Sequence, residues 1–290
     1  FTPEEAPVFA FPSPPCGMLV GSLSELVCAV SLQRHVEDQV IKSSLRARAQ
    51  NAIRLAGVVA RKPLVGAHVV NISITHNCNL ACSFCESHGR FMPQPITARR
   101  AYVGGRRQMT VETLDSVCRS LARLGIGRVE LSGMGDPIAH PKLPEMIRTI
   151  RSHKLECSLI TNGTLGAVDL ASTLVECGLA RLTLSLNAGT RDTYAALAGR
   201  DLWDKAIGFL EEVLSRRRAA GAKAPRIQVS FVVCAENIHD MDATVNLCCG
   251  WKVDELLFVV MGELPETAHI QVDEAGVASI REQSTRWAAR

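Results

Sequence analysis

This chain of 290 residues lacks a marked excess of either charge and lacks a long apolar run. Its 32 basic and 29 acidic residues leave a net charge of only +3, so the charge balance carries no clear sign of nucleic-acid binding. A membrane span needs ~18 or more consecutive apolar residues. The nearest candidate, residues 18–32, is interrupted by Ser22, Ser24 and Glu25. We therefore expect no membrane span.

The cysteines are numerous, but most of them lack a repeated spacing. Of the eleven, eight are scattered through apolar or helical contexts: Cys16, Cys28, Cys118, Cys157, Cys177, Cys234, Cys248 and Cys249. Secreted disulfide scaffolds are usually short and cysteine-dense, and this chain is long. We therefore expect reduced thiols and a cytoplasmic location.

The composition suits one large α/β domain with a small extension, because 47% of the residues are hydrophobic. Residues 1–16 form a proline-rich lead. Residues 22–60 carry apolar side chains at roughly helical spacing, which predicts a packing or partner-binding helical extension. We accordingly divide the chain into an extension at 1–68 and a core domain at 69–290.

From residue 69 onward, predicted strands alternate with predicted helices. Strands are expected at 69–75, 128–132, 156–161, 180–186, 226–233 and 254–260. Helices are expected at 110–124, 142–153, 167–177, 191–219 with a break near Gly199, 239–249 and 272–288. Thr110 with Glu112 suits the first helix start, and Pro141 suits the first turn of the second helix. Six alternating βα units predict an α/β fold with a parallel sheet, a partial (β/α)6 barrel.

Three closely spaced cysteines follow the first predicted strand. Cys78, Cys82 and Cys85 have the spacing C-x3-C-x2-C. A four-iron cluster normally takes four thiolates, so three would leave one iron open to hold a small molecule and pass it an electron. Taken alone, this spacing is also compatible with a zinc site or with thiols that have no function.

Further motifs follow the later strands, at the end of a βα barrel where chemistry takes place. They are Leu-Ser-Gly-Met-Gly-Asp-Pro at 131–137, Thr-Asn-Gly at 161–163, Thr-Leu-Ser-Leu-Asn at 183–187 and a stretch containing Asn237. Thr183, Ser185 and Asn187 share one face of an alternating strand, which predicts a polar row pointing into the barrel. Together with the cysteines, these segments resemble the radical S-adenosylmethionine (SAM) superfamily over residues 69 to about 262.

The resemblance implies a partial TIM-like barrel that binds one [4Fe–4S] cluster and SAM. Cys78, Cys82 and Cys85 would ligate the cluster. His76 and His88 flank them, but the family leaves the fourth iron to SAM, so a structural or neighbouring role is favoured over ligation. The SAM-contacting residues implied are Phe84, Gly133, Gly135, Asp136, Thr161, Asn162, Ser185 and Asn187.

Two of these assignments keep an alternative. Phe84 lies where the family commonly has an aromatic residue near the adenine, and packing under the loop explains it equally well. Residues 133–137 depart from the family's Gly-Gly-Glu-Pro by Met134 and by Asp136 in place of Glu. The shorter acid leaves open whether carboxylate or backbone contacts the SAM amino group.

The resemblance implies an enzyme that cleaves SAM to a 5′-deoxyadenosyl radical, which takes hydrogen from a peptide, sugar or small metabolite. An electron donor such as flavodoxin or ferredoxin is also implied. The segment 86–109 contains Arg90, Arg99, Arg100, Arg106 and Arg107 against Glu86 alone, which favours an anionic substrate or else a solvated loop. The competing interpretations are a non-catalytic iron–sulfur or zinc protein, such as an electron carrier or assembly factor, and a degenerate member retained as a binding partner.

Overall fold

The structure, a computed structural model, describes residues 52–92 and 108–288 except positions 54, 58, 63, 65, 167 and 263. The predicted proline-rich lead, most of the predicted helical extension and residues 93–107 of the arginine-rich segment lie outside the described residues. Those described between 52 and 60 are helical. The predicted boundary between an extension and a core at residue 68 therefore stays a prediction.

The described residues form one sheet of six parallel strands in the order of the sequence. The strands are β1 (Val69–Ile72), β2 (Arg128–Leu131), β3 (Glu156–Thr161), β4 (Arg181–Ser185), β5 (Arg226–Val233) and β6 (Glu255–Val260). Each strand pairs in parallel with the next, as right-handed βα crossovers require. The predicted α/β fold with a partial (β/α)6 barrel is confirmed.

Seven α-helices have bounds within the described residues. They are α1 (Val111–Arg123), α2 (Leu143–Ser152), α3 (Val168–Glu176), α4 (Arg191–Ala198), α5 (Trp203–Ala219), α6 (Met241–Trp251) and α7 (Glu274–Ala288). Thr110 caps α1 by accepting a hydrogen bond from the Thr113 amide at 3.2 Å. The predicted break near Gly199 separates α4 from α5, because Gly199 ends α4 in the left-handed conformation.

Most boundaries differ from the sequence prediction by one or two residues, and two of the differences have a clear physical reason. Pro141 lies before α2, and the proline in its first turn is Pro144, where a missing amide donor costs nothing. Strand β1 ends at Ile72 rather than residue 75. Beyond it, Thr75 forms an antiparallel bridge to Gln108, so this stretch leaves the parallel ladder and leads into the cysteines.

The apolar core lies between the helices and one face of the sheet. Leu182 and Leu184 of β4 are fully buried on that face together with Leu159 of β3. The alternate residues of the strands face the other side, where Thr183 donates to Gln228 across β4 and β5 at 3.0 Å. Because all six strands run in the same direction, the loops that follow them lie along one edge of the sheet. The candidate site lies at this edge.

Candidate functional site

A cavity opens at the carboxyl edge of the sheet between the cysteine loop, the loops after β2, β3 and β4, and Val232 near the end of β5. Every residue that the resemblance assigns to the cluster or to SAM lines it: Cys78, Cys82, Phe84, Cys85, Gly133, Gly135, Asp136, Thr161, Asn162, Ser185 and Asn187. His88 and Tyr194 line it as well. Segments separated by more than a hundred residues thus meet around one space.

The cysteine loop is held in place by the C-terminus of α4. The amides of Ala81 and Ser83 donate to the carbonyls of Ala198 and Leu197 at 3.1 and 2.9 Å. Arg90 donates to the carbonyl of Ala196 at 2.6 Å. The last carbonyls of a helix have no partner within the helix. Here the cysteine loop supplies those partners, so α4 fixes the loop against the barrel.

The three thiols of the loop are close enough to affect one another. Burial, followed by the charges of Cys85 and Cys78, raises the pKa of Cys82 to about 12. Burial is also the main cause that raises the pKa of Cys78. Three neighbouring thiolates repel each other, so a bound cation must offset their charge for all three to be deprotonated. The donor set therefore fits a cationic metal centre of thiolate ligands.

A zinc ion and an iron–sulfur cluster place different demands on their thiolate ligands. Zinc ligands must all lie within ~2.3 Å of one point. Among the described residues, no group of three His, Cys, Asp or Glu side chains is placed to hold a single metal ion. In a four-iron cluster each thiolate binds a different iron, so the thiols lie farther apart. Three thiols on one cavity wall suit the cluster better.

The loop after β2 packs directly on the backbone that leads to Cys78. A Cβ on Gly135 would lie 2.6 Å from the carbonyl oxygens of Thr75 and Asn77, so only glycine fits. Gly133 has a φ of +123°, which other residues rarely adopt. Met134 lies outside that positive-φ region, which explains why a side chain is tolerated where the family has glycine.

The carboxylate of Asp136 is buried and occupied by hydrogen bonds within the protein. It accepts from the Thr161 hydroxyl at 2.8 and 2.9 Å, from the Asn162 amide at 2.7 Å and from the Ile138 amide at 2.9 Å. Burial raises the pKa of this carboxyl, and these hydrogen bonds oppose the shift. Asp136 therefore ties the β2 loop to the end of β3.

Asn162 is directed towards a cysteine. Its side-chain amide lies 3.8 Å from the sulfur of Cys78 and donates to Asn79 at 3.3 Å. Its carbonyl oxygen accepts from the amide and hydroxyl of Thr164 at 2.9 and 2.6 Å. These contacts orient the amide donor, so Asn162 interacts with a thiol as well as lining the cavity.

The polar row on β4 divides into two parts. Ser185 and Asn187 line the cavity, but Thr183 does not, because its hydroxyl is bonded to Gln228 deeper in the barrel. The expectation that Thr183 shares the site is therefore corrected.

Asn237, from the weakest motif, is fully buried. It donates to the carbonyls of Asn187 and Val232 at 2.9 and 2.8 Å, which joins the ends of β4 and β5.

Sequence reasoning missed Tyr194 and gave Arg90 a different environment. Tyr194 is only 2% exposed, and its hydroxyl has no hydrogen-bond partner among the described residues. No motif marks it, since an apolar helix position usually indicates core packing. Arg90 belongs to the arginine-rich segment 86–109. Its guanidinium donates to the Ala196 carbonyl and lies 3.7 Å from Glu236.

Comparisons with known proteins point to one family. The sequence profile of the Radical SAM superfamily matches residues 72–248, more than half of the chain. A "Probable GTP 3',8-cyclase" from Pyrococcus horikoshii is 35% identical over 196 residues, which are 68% of this chain and 56% of that protein. A "GTP 3',8-cyclase" from Paracoccus denitrificans is 28% identical over 208 residues, covering 68% and 54%. The chain thus spans about half the length of these relatives.

A solved structure has the same fold. The crystal structure of Streptococcus suis SuiB bound to S-adenosylmethionine aligns with a TM-score of 0.64 at 17% identity, over 85% of this chain and 54% of SuiB. Within the described part of the chain, no helix has the length and apolar character needed to span a membrane.

Proposed function

This chain belongs to the radical SAM superfamily, whose enzymes use a [4Fe–4S] cluster and SAM, and we propose that Cys78, Cys82 and Cys85 ligate that cluster. The observation that carries the proposal is that these thiols share one cavity with the loops after β2, β3 and β4. The cluster would pass an electron to SAM, taken from a donor such as flavodoxin or ferredoxin. The cleaved SAM would yield a 5′-deoxyadenosyl radical that takes hydrogen from the substrate.

The residues around the cavity support different parts of this chemistry. Because the Asp136 carboxylate already accepts three donors, we assign the SAM amino group to the backbone of residues 132–135. Ser185 and Asn187 line the cavity at the end of β4, where they would contact SAM. Phe84 would contact SAM from the cysteine loop. Asn162 supports Cys78, since amide donors to sulfur tune an iron–sulfur cluster.

The test is anaerobic reconstitution with iron and sulfide, followed by reduction in the presence of SAM and assay of 5′-deoxyadenosine. We expect about four irons per chain. Cys82→Ala should lose both cluster absorbance and 5′-deoxyadenosine formation. Cys249→Ala is the matched control, because Cys249 is an exposed thiol on α6, and it should retain both. Full cluster content in Cys82→Ala would refute the assignment of the ligands.

For the substrate, we propose an anionic small metabolite, with GTP as the first candidate. Two relatives named GTP 3',8-cyclase are similar over 68% of this chain, and GTP carries the anionic phosphates that the arginine-rich segment would favour. Incubation of reconstituted protein with SAM, reductant and GTP should consume GTP and increase 5′-deoxyadenosine. Formation of 5′-deoxyadenosine without any effect of GTP would exclude GTP and leave the radical chemistry standing.

A further inference from the structure

Tyr194 places a buried and unpartnered donor group in the wall of the cluster cavity. The residue lies in the first turn of α4, and its ring packs edge-on against Trp203 with the ring centroids 5.7 Å apart. This contact and the burial of the ring hold the phenol in one orientation. Its hydroxyl is buried and has no partner among the described residues. Buried polar groups almost always find a hydrogen bond, so this hydroxyl needs a partner such as a bound water, an ion or a ligand.

Few other groups in the described residues share this property. Side-chain atoms of His76, Ser83, His88 and Glu236 are also buried without a hydrogen-bond partner. Among these four residues, only His88 lines the cavity. The backbone amide of His88 already donates to the sulfur of Cys85 at 3.3 Å. A phenol is protonated at neutral pH and is therefore available as a donor, whereas either imidazole nitrogen can be the acceptor.

The surroundings of Tyr194 point to a sulfur atom as the acceptor. Tyr194 shares the cavity wall with Cys78, Cys82 and Cys85. Burial raises the pKa of the phenol most, and the charge of the Cys82 thiolate is the next cause. The helix that carries Tyr194 also binds the cysteine loop through the carbonyls of Leu197 and Ala198. The phenol and the cysteines are thus fixed to one element.

We propose that the Tyr194 hydroxyl donates a hydrogen bond to a sulfur atom of the cluster held by Cys78, Cys82 and Cys85 and thereby raises the reduction potential of the cluster. Hydrogen bonds to sulfur draw electron density from the cluster and favour its reduced form. This inference rests on the proposed ligation by Cys78, Cys82 and Cys85. Tyr194 would then act on the electron-transfer step that precedes any chemistry on the substrate.

The test is a redox titration of the reconstituted protein in the absence of SAM. The reduced cluster is monitored by electron paramagnetic resonance. Tyr194→Phe removes only the hydroxyl and should shift the midpoint potential to a more negative value, with iron content unchanged. We expect the equilibrium constant for reduction to fall several-fold, where a tenfold change corresponds to ~59 mV for one electron. Thr193→Val removes a neighbouring hydroxyl of α4 that is bonded to Thr190, and it should leave the potential unchanged.

A second measurement keeps the proposal testable if the Tyr194→Phe variant takes up little of the cluster. The chain has only two tyrosines, so difluorotyrosine incorporated into a Tyr102→Phe background labels position 194 alone. Fluorination makes the phenol a stronger donor, so the potential should rise relative to the unlabelled Tyr102→Phe protein. An unchanged potential in these experiments would overturn the proposal, even if SAM affinity changed. A wild-type protein that binds no cluster would refute the proposed ligation as well.

Discussion

At the scale of single residues, Asp136 shows how the protein uses the acid of its Gly-Met-Gly-Asp-Pro segment. A longer acid could reach a ligand, whereas this aspartate binds donors from Thr161, Asn162 and Ile138. Each carboxylate oxygen faces at least one backbone amide. The side chain therefore joins the loops after β2 and β3 and shapes the cavity through its neighbours.

We expect Asp136→Asn to lower the stability of the protein more than its affinity for SAM. The new amide nitrogen must face the amide of Ile138 or of Asn162, which leaves a buried donor unsatisfied at a cost of ~1–3 kcal/mol. Anaerobic urea unfolding and SAM binding to the folded, cluster-loaded protein measure the two effects.

The matched control for this substitution is Asp169→Asn, in the exposed first turn of α3, which should change neither quantity. Unchanged stability together with a large loss of SAM affinity would show that the carboxylate binds the SAM amino group after all.

At the scale of elements, α4 and the loop after β2 enclose the cysteine loop from two sides. Three successive carbonyls at the end of α4 accept hydrogen bonds from residues 81, 83 and 90. On the other side, the amide of Asp136 donates to the carbonyl of Asn77 at 2.9 Å. Apart from the Arg90 guanidinium, these contacts join backbone groups, so the placement of the cysteines depends little on the identity of the side chains between them.

Gly135→Ala should disrupt the cluster site. The added methyl group would lie 2.6 Å from backbone oxygens on either side of His76, so the β2 loop must move away from the cysteine loop. Overpacking of this kind typically costs ~1–3 kcal/mol. We expect reduced iron content and a lower midpoint of urea unfolding.

Gly127→Ala provides the control, because a Cβ at Gly127 meets nothing within 4 Å and its φ is not positive. This variant should keep its iron. Equal iron content in the two variants would mean that the loop after β2 does not support the cluster site.

At the scale of the whole molecule, the parallel sheet brings the carboxyl ends of its strands to one edge, where the cavity opens. The arginine-rich segment lies between the cysteine loop and α1 in the sequence, so both its ends are attached near this edge. Arg99 and Arg100 lie outside the described residues. Their role in binding an anionic substrate stays a prediction.

Changing Arg99 and Arg100 together to Gln should leave the formation of 5′-deoxyadenosine without substrate nearly intact and should reduce the consumption of GTP. The loss should be larger at low salt, because exposed charges are screened least there. Arg119→Gln with Arg123→Gln removes two charges from α1 as a control. Equal loss of both activities would indicate a role in folding or cluster binding, and no loss would indicate a solvated loop.

The sequence alone indicates the parallel α/β architecture and the approximate bounds of its strands and helices, and the resemblance to a family supplies the residues assigned to the cluster and to SAM. These properties depend on local signals: apolar periodicity, glycine at helix ends, and motifs that follow strands. Strand β5 is predicted at 226–233 and is observed there, because its apolar residues alternate with polar ones over residues 227–231, as a strand requires. The break after α4 is also predicted by a local signal, because glycine commonly ends a helix and Gly199 does so here.

The partner of each cavity residue depends on the tertiary structure. Asp136 and Thr161 are 25 residues apart and Asn162 and Cys78 are 84 apart, so no local pattern records that they touch. The same holds for Tyr194, whose helical position predicts core packing although the residue lines the cavity. Periodicity tells which face of an element is buried, whereas the partners on that face depend on how distant elements pack, and packing is a property of the whole fold.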